Sequence, residues 1–235
     1  DFLGKRQYKL RLSPHEEPID PIDWKNKYES ENKCWRQKVT QGVAAMSKED
    51  NLYMTAYLFA TQVIMEERAR SYVVLPFSGS DEEVMCKIRS KLPGGAVQMA
   101  ATDVTQFDSS QNRSTNRLAM RVMRAFFPLP AHVQDFYESI FDSWKLRSHT
   151  GTQIKGTGLQ MSGSKLTLFM NTVHCGALNS MLLQPKGKIY LACMKGDDWL
   201  YMADRILVHP RYNEYVQALG VQVKLEFNDK VAPFC

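Results

Sequence analysis

The chain lacks any C-x-x-C pair among its five cysteines, an odd number, in 235 residues. That leaves no zinc ribbon and no full disulfide framework to read, and reduced thiols are the plainer expectation. No internal repeat and no low-complexity tract is present, and no basic-then-apolar leader follows Asp1. The longest stretch without Asp, Glu, Lys or Arg takes in residues 166–183. It is long enough to cross a bilayer, but Thr167, Asn171, Thr172, His174, Asn179 and Ser180 interrupt it, so it reads as a buried helix. The final residues, Val231-Ala232-Pro233-Phe234-Cys235, read like a strand entered and then cut, the expectation for a segment of a longer polypeptide.

What is present is ordinary globular material. Apolar residues make up 44% and charged residues 23%, which excludes the disordered and collagenous classes and provides for a packed core. Thirty basic against 25 acidic residues give a net charge of +5, a balance that suits a polyanionic partner without demanding one.

Residues 1–34 are polar and broken by Pro14, Pro18 and Pro21. Apolar spacing at Leu52, Met54, Leu58, Val63 and Met65 predicts a helix over 50–70. Pro93-Gly94-Gly95 is a turn, and residues 96–102 read as a buried strand ending at Asp103. Leu118, Val122, Met123 and Phe126 predict a helix over 112–127, stopped by Pro128 and Pro130. A second helix is expected over 133–146, with Phe136, Ile140, Phe141 and Trp144 on one face. Residues 148–163, rich in Gly, Thr and Gln, read as a short ribbon and loop, and 165–183 as a helix. Two short apolar runs, 188–194 and 199–203, flank Lys195-Gly196-Asp197-Asp198 in the manner of a hairpin. A helix over 210–219 has Pro210 in its first turn and Gly220 past its end, and 221–227 reads as a last strand. The plan is α+β, an antiparallel sheet with helices on one face, and at its core a split β-α-β unit.

The acidic residues are placed for chemistry. If the hairpin pairs beside the 96–102 strand, Asp103, Asp197 and Asp198 converge at one sheet end. Three clustered carboxylates repel and need a counter-charge, and hard oxygen ligands suit Mg²⁺. The bland alternative is a solvated Asp-Asp turn. Two more segments weigh against it. Asp103-Val104-Thr105-Gln106-Phe107-Asp108 spaces two aspartates at a strand end, and Ser162-Gly163 precedes a helix on which Thr167 and Asn171 sit four apart on one face.

In this order, Asp-x4-Asp, Ser-Gly-x3-Thr-x3-Asn-Thr and Gly-Asp-Asp resemble motifs A, B and C of viral RNA-dependent RNA polymerases. Any one element is weak, but at about 5% usage per specified residue the ordered set is not expected by chance. The chain resembles the palm of a positive-strand RNA virus polymerase, nearest to the alphavirus-like replicases on the hepevirus and benyvirus side. The resemblance spans residues 36–235, with 41–48 similar to the basic fingers segment, motif F. It implies a right-hand polymerase fold: residues 1–95 a partial fingers region with motif F, 96–235 the palm with motifs A to D and the start of motif E near Pro233, the thumb absent.

The resemblance further implies an RNA-directed RNA polymerase, a nucleotidyltransferase that extends an RNA 3′-hydroxyl from NTPs with two Mg²⁺ ions, or Mn²⁺ in their place. Asp103, Asp197 and Asp198 would be the metal-binding acids. Asp108 and Asn171 would read the ribose 2′-hydroxyl, Thr167 would lie on the same face, and Ser162 and Gly163 would form a loop near the templating base. Arg36, Lys38 and Lys48 would lie over the triphosphate. Lys224 would protonate the departing pyrophosphate. Partners would be template and nascent RNA, NTPs and the other domains of a viral replicase polyprotein, in host cytoplasmic replication complexes. The alternatives are a reverse transcriptase, against which a 2′-hydroxyl-reading element argues, and a non-catalytic RNA-binding remnant, against which the intact acids argue.

Outside these motifs, Arg113, Arg117, Arg121 and Arg124 make a basic helical stripe that reads equally as an RNA contact or a solvated face. Phe126, Phe127, Phe136, Tyr137, Phe141 and Trp144 read as core rather than base-stacking platforms. His174 has no second histidine at ligand spacing, so no zinc site is expected there.

Overall fold

The computed structural model describes residues 6–13, 41–45, 48–92, 97–105, 107–147, 152–158, 160 and 164–228. Arg36, Lys38, Ser162, Gly163, the expected turn at 93–95 and the expected start of motif E at 233–235 lie outside the described residues.

The elements run β1 (Arg6–Ser13), β2 (Gln41–Ala45), α1 (Lys48–Arg68), β3 (Val73–Val74), α2 (Asp81–Arg89), β4 (Gln98–Thr105), α3 (Phe107–Ser110), α4 (Arg113–Phe126), α5 (Ala131–Asp142), β5 (Trp144–Arg147), β6 (Gln153–Gly156), α6 (Thr167–Leu182), β7 (Leu183–Lys195), β8 (Asp198–Val208), α7 (Tyr212–Leu219) and β9 (Gln222–Asn228). They build a mixed α+β fold with two sheets, ordered β2-β1-β5-β6 and β3-β7-β8-β4-β9. In the five-stranded sheet β3 runs parallel to β7, and β7–β8, β8–β4 and β4–β9 are antiparallel.

Local chemistry sets several boundaries. α4 opens on a capping box: the Asn112 side chain accepts from the Ser114 and Thr115 amides at 2.8 and 3.2 Å. The Thr115 hydroxyl in turn accepts from the Asn112 amide at 2.9 Å, so donors that the helix leaves orphaned are satisfied reciprocally. α2 opens the same way on Ser80 and Glu83. α7 closes on Gly220 at φ +65°, the left-handed cap that glycine adopts without strain.

The core explains why residues 199–203 are continuously apolar. Side chains alternate across a strand. Trp199, Tyr201 and Ala203 therefore enter a cluster with Cys175, Leu178 and Leu182 of α6, while Leu200 and Met202 pack with Val74, Ile88, Leu191 and Cys193 on the other face. A strand buried on both faces reads as an unbroken apolar run. A third cluster joins Met54 and Leu58 of α1, Met120 and Met123 of α4, Phe136, Tyr137, Ile140 and Phe141 of α5, and Phe169 and Met170 of α6.

The structure departs from the sequence reading in identifiable places. α6 and α7 cover one face of the five-stranded sheet as expected, but Ile88 of α2, with Val84 and Met85, lies against the other face. The helix expected through 146 ends at Asp142, and Trp144 opens β5. Trp144 pairs with Gly156, where any Cβ would collide with the indole, so a long-range fit overrides the helical spacing. Helix α4 buries Ala119, Met120 and Met123, while Leu118 stays exposed. β1, β3 and α2 were not anticipated. β1 takes its ladder partners from residues distant in sequence, pairing with β2 and β5, and β3 pairs with β7.

Phe169 is fully buried where α6 enters the helical core. Phe169→Ala is expected to lower unfolding free energy by about 3–5 kcal/mol, and Leu52→Ala, at an exposed position of α1, by less than ~0.5 kcal/mol. Urea denaturation of the two variants beside the parent checks the contrast; equal losses would place the core elsewhere.

Candidate functional site

β4 is the strand on which the acidic end is organised. Its antiparallel register with β8 pairs Thr102 with Trp199, so the next step outward sets Asp103 beside Asp198. On its other edge Asp103 faces Lys224 of β9. The strand does not stop at Asp103, as its sequence predicts: it runs on to Thr105 because Val104 and Thr105 find ladder partners in Val223 and Gln222. Across the hairpin Lys195 pairs with Asp198, which leaves Gly196 and Asp197 as a two-residue turn and makes Asp198 the first residue of β8. Gly196 holds φ +64°, in the region that the tight turn requires and glycine provides.

The acids feel one another. Burial raises the Asp197 carboxyl above its ordinary range, its own backbone hydrogen bond partly offsets this, and Asp103 and Asp108 push it further up. Asp198 is raised by burial first, then by Asp197 and Asp103, with Lys195 opposing. Lys195 in turn forms an ion pair with Asp81 of α2 at 3.4 Å. The Lys224 ammonium lies 3.1 Å from Asp103 Oδ2 as a local counter-charge, and both side chains are largely solvated, so the pair adds little to stability.

α6 supplies the polar groups that meet these acids. Asn171 Nδ2 donates to Asp108 Oδ1 at 2.6 Å, linking residues 63 apart in sequence. Asn171 Oδ1 is buried without a hydrogen-bond partner. The next residue, Thr172, accepts from the Gly196 amide at 2.9 Å. Cys175 Sγ donates to the Asp197 carbonyl at 3.3 Å, and burial, reinforced by the acids, pushes its pKa up to about 12. The sequence motifs include Thr172 without giving it a task and leave Cys175 out. Their separation of three on the helix, facing the same way as Asn179, was the available signal.

Other candidates are placed differently. Thr167 opens α6 and accepts from Gln160 Nε2 at 2.9 Å. Lys48 is exposed at the first turn of α1. His174 is buried against the Thr115 carbonyl at 2.6 Å, and burial lowers its pKa. All four stripe arginines are exposed; Arg113 pairs with Asp142 at 2.6 Å and Arg124 donates to Gln134 at 3.0 Å. Phe136, Tyr137, Phe141 and Trp144 are buried in the core, with Phe126 and Phe127 packed against it.

Among the described residues no group of three or more His, Cys, Asp or Glu side chains is gathered closely enough to hold a metal ion. The carboxylates at the sheet end are nonetheless a donor set that fits Mg²⁺ by chemistry: hard oxygens, negative, each raising a neighbour's pKa in a way that a bound cation reverses. Among the same residues no helix is long and apolar enough to cross a membrane.

An acid-bearing turn beside a strand aspartate, faced by the polar groups of α6, is an arrangement that suits a nucleotidyltransferase. The family model described as viral RNA-directed RNA polymerase matches residues 53–225, nearly three-quarters of the chain. The chain belongs to that family. No curated protein matches it.

The raised carboxyls set a pH dependence. A carboxyl whose folded pKa lies above its unfolded value contributes stability that is fully present below the unfolded pKa and is lost as pH rises through the folded one. Asp197→Asn is therefore expected to raise Tm at pH 7 without divalent cations and to leave it unchanged near pH 3, and Asp198→Asn, at an exposed and better-screened position, to shift it less in the same direction. Thermal melts at the two pH values test this; lower Tm at pH 7 would show that the acids are held by favourable contacts instead.

Proposed function

We propose that this chain is the catalytic portion of an RNA-directed RNA polymerase of the alphavirus-like kind, adding nucleotides from NTPs to the 3′-hydroxyl of a growing RNA on an RNA template. Residues 96–235 form the palm, with a split β-α-β core in strands β7, β8, β4 and β9, and residues 1–95, which add β3 to that sheet, are part of the fingers. The observation on which the reading rests is the β4–β8 register, whose last pair, Thr102–Trp199, leads directly into Asp103 and Asp198, 95 residues apart in sequence, with Asp103 near enough to raise the Asp198 carboxyl.

Asp103, Asp197 and Asp198 would hold two divalent cations, Mg²⁺ or Mn²⁺. Bound there, the ions would lower the pKa of the attacking hydroxyl and neutralise charge on the pyrophosphate oxygens. The rest is the work of the chain's own groups. Asn171 is fixed by Asp108, and its buried, unpartnered Oδ1 is an acceptor suited to a ribose 2′-hydroxyl. A site built to bond a hydroxyl strongly disfavours the analogue that lacks it, which selects NTPs over dNTPs and favours this reading over a reverse transcriptase. Lys224, which bonds Asp103 at the acidic end, would pass a proton to departing pyrophosphate. Arg36, Lys38 and Lys48 would steady the triphosphate, where fixed cations offset charge spread over phosphate oxygens. Ser162 and Gly163 would flank the templating base, and Thr167 would support the sugar-reading face of α6. Template and nascent RNA, and the other domains of a viral replicase polyprotein in host cytoplasmic replication complexes, are the partners this activity needs.

Primer extension on an RNA template with labelled NTPs, with and without Mg²⁺, tests the reading. Asp197→Asn is expected to lower incorporation by more than ~100-fold, the upper end of what a change outside a metal's own ligands costs; incorporation at the parent rate would remove the catalytic assignment. Asn171→Ala is expected to reduce discrimination between NTP and dNTP by about tenfold, the worth of roughly one hydrogen bond. An unchanged selectivity ratio would mean that the sugar is read elsewhere.

A further inference from the structure

The turn that bears Asp197 is seated on α6 by its backbone. Gly196 is buried, and its amide donates to Thr172 Oγ1 at 2.9 Å. The amide can only donate, and the Thr172 hydroxyl is free to accept because it spends its own proton on the Leu168 carbonyl at 2.7 Å. One turn along, the Cys175 thiol donates to the Asp197 carbonyl at 3.3 Å, while its sulfur accepts from Asn179 Nδ2 at 3.2 Å. Asn179 also donates to the Cys175 carbonyl at 3.0 Å, which fixes the amide's orientation. Thr172, Cys175 and Asn179 thus form one polar seam on a mostly apolar helix, all three buried. The helix sits close: a methyl group on Gly176 would lie 3.0 Å from Met194 Sδ of β7.

These two backbone groups have no partner in the β7–β8 ladder, since the ladder ends at the Lys195–Asp198 pair. In a solvated hairpin turn water would satisfy them. Here side chains of a packed helix do so, which adds position where water would add none. The neighbouring residue, Asn171, fixes Asp108, so a single helix sets both acidic segments against each other.

We propose that Thr172 and Cys175 are positioning residues that hold the Gly196-Asp197 turn at the place from which Asp197 and Asp198 take a divalent cation together. This rests on the reading of those acids as metal ligands. Neither residue touches the cation or the nucleotide; each acts through the turn's backbone.

The test uses the full chain with Mn²⁺ as the probe, its binding followed by the loss of the free-ion electron paramagnetic resonance signal, and hydrogen exchange at the Gly196 amide. Thr172→Val keeps the volume and loses the acceptor; Thr172→Ser keeps the acceptor. Thr172→Val is expected to weaken Mn²⁺ binding about tenfold, a factor equivalent to one net hydrogen bond, and to speed exchange at Gly196 by a similar factor. Thr172→Ser is expected to stay within about twofold of the parent in both, a rescue that loss of helix packing alone would not follow. If Thr172→Val does not fold, Cys175→Ala against Cys175→Ser makes the same comparison at the Asp197 carbonyl. Unchanged Mn²⁺ binding by the variant that loses the hydrogen bond, or equal weakening by both variants at a position, overturns the proposal. A parent chain that takes up no Mn²⁺ overturns the metal reading and this inference with it, so the two failures are told apart by the parent alone.

Discussion

Like charges repel most where they are least hydrated, and this chain sets the half-buried Asp197 next to the exposed Asp198 and within reach of Asp103 and Asp108. An isolated hairpin would splay such a turn into solvent, where water screens the charges. The five-stranded sheet prevents that by buried area rather than by ion pairing. Trp199, Tyr201 and Ala203 anchor one face of β8 in the α6 cluster, and Leu200 and Met202 anchor the other. Each fully buried side chain of this size contributes on the order of 1.5–3 kcal/mol. The exposed Lys224–Asp103 pair contributes less than ~1 kcal/mol. The core therefore decides where the acids stand, and the local cations only moderate their repulsion.

That division makes sense of α6, which is apolar almost all round yet has polar residues at Asn171, Thr172, His174 and Asn179. A polar group inside a core is tolerated when it is bonded. Thr172 and Asn179 bond locally and to the hairpin side, Asn171 bonds Asp108, and His174 bonds the Thr115 carbonyl of α4. The helix is a spacer between two acidic segments as well as a core element. Membership of the viral RNA-directed RNA polymerase family gives such a spacer a purpose, since an enzyme that joins nucleotides needs charge held at fixed distances more than it needs covalent chemistry.

Much of the site was legible before the fold. Gly196-Asp197-Asp198 between two apolar runs reads as a hairpin turn, and the run at 166–183 reads as a buried helix rather than a membrane span once its polar interruptions are weighed. Local rules sufficed because the signals were local. They failed where a distant partner won. Trp144 has helical spacing with Phe136, Ile140 and Phe141, yet it leaves the helix to cover Gly156. Leu118 has the spacing of a core residue and is exposed, because the buried face of α4 turns through Ala119 and Met123 instead.

The amino-acid order alone determined which chemical groups exist and in what succession: paired aspartates, a Thr and Asn one helical turn apart, an acidic turn, a late lysine. It determined the family as well, because such ordered spacing survives without coordinates. Only the tertiary structure decided that Asp103 stands beside Lys224 across 121 residues and that Thr172 and Cys175 grip the backbone of the turn. Those contacts depend on strand register and on the rotation of a helix about its axis. Both are set by the packing of whole faces, and no short window of sequence contains them.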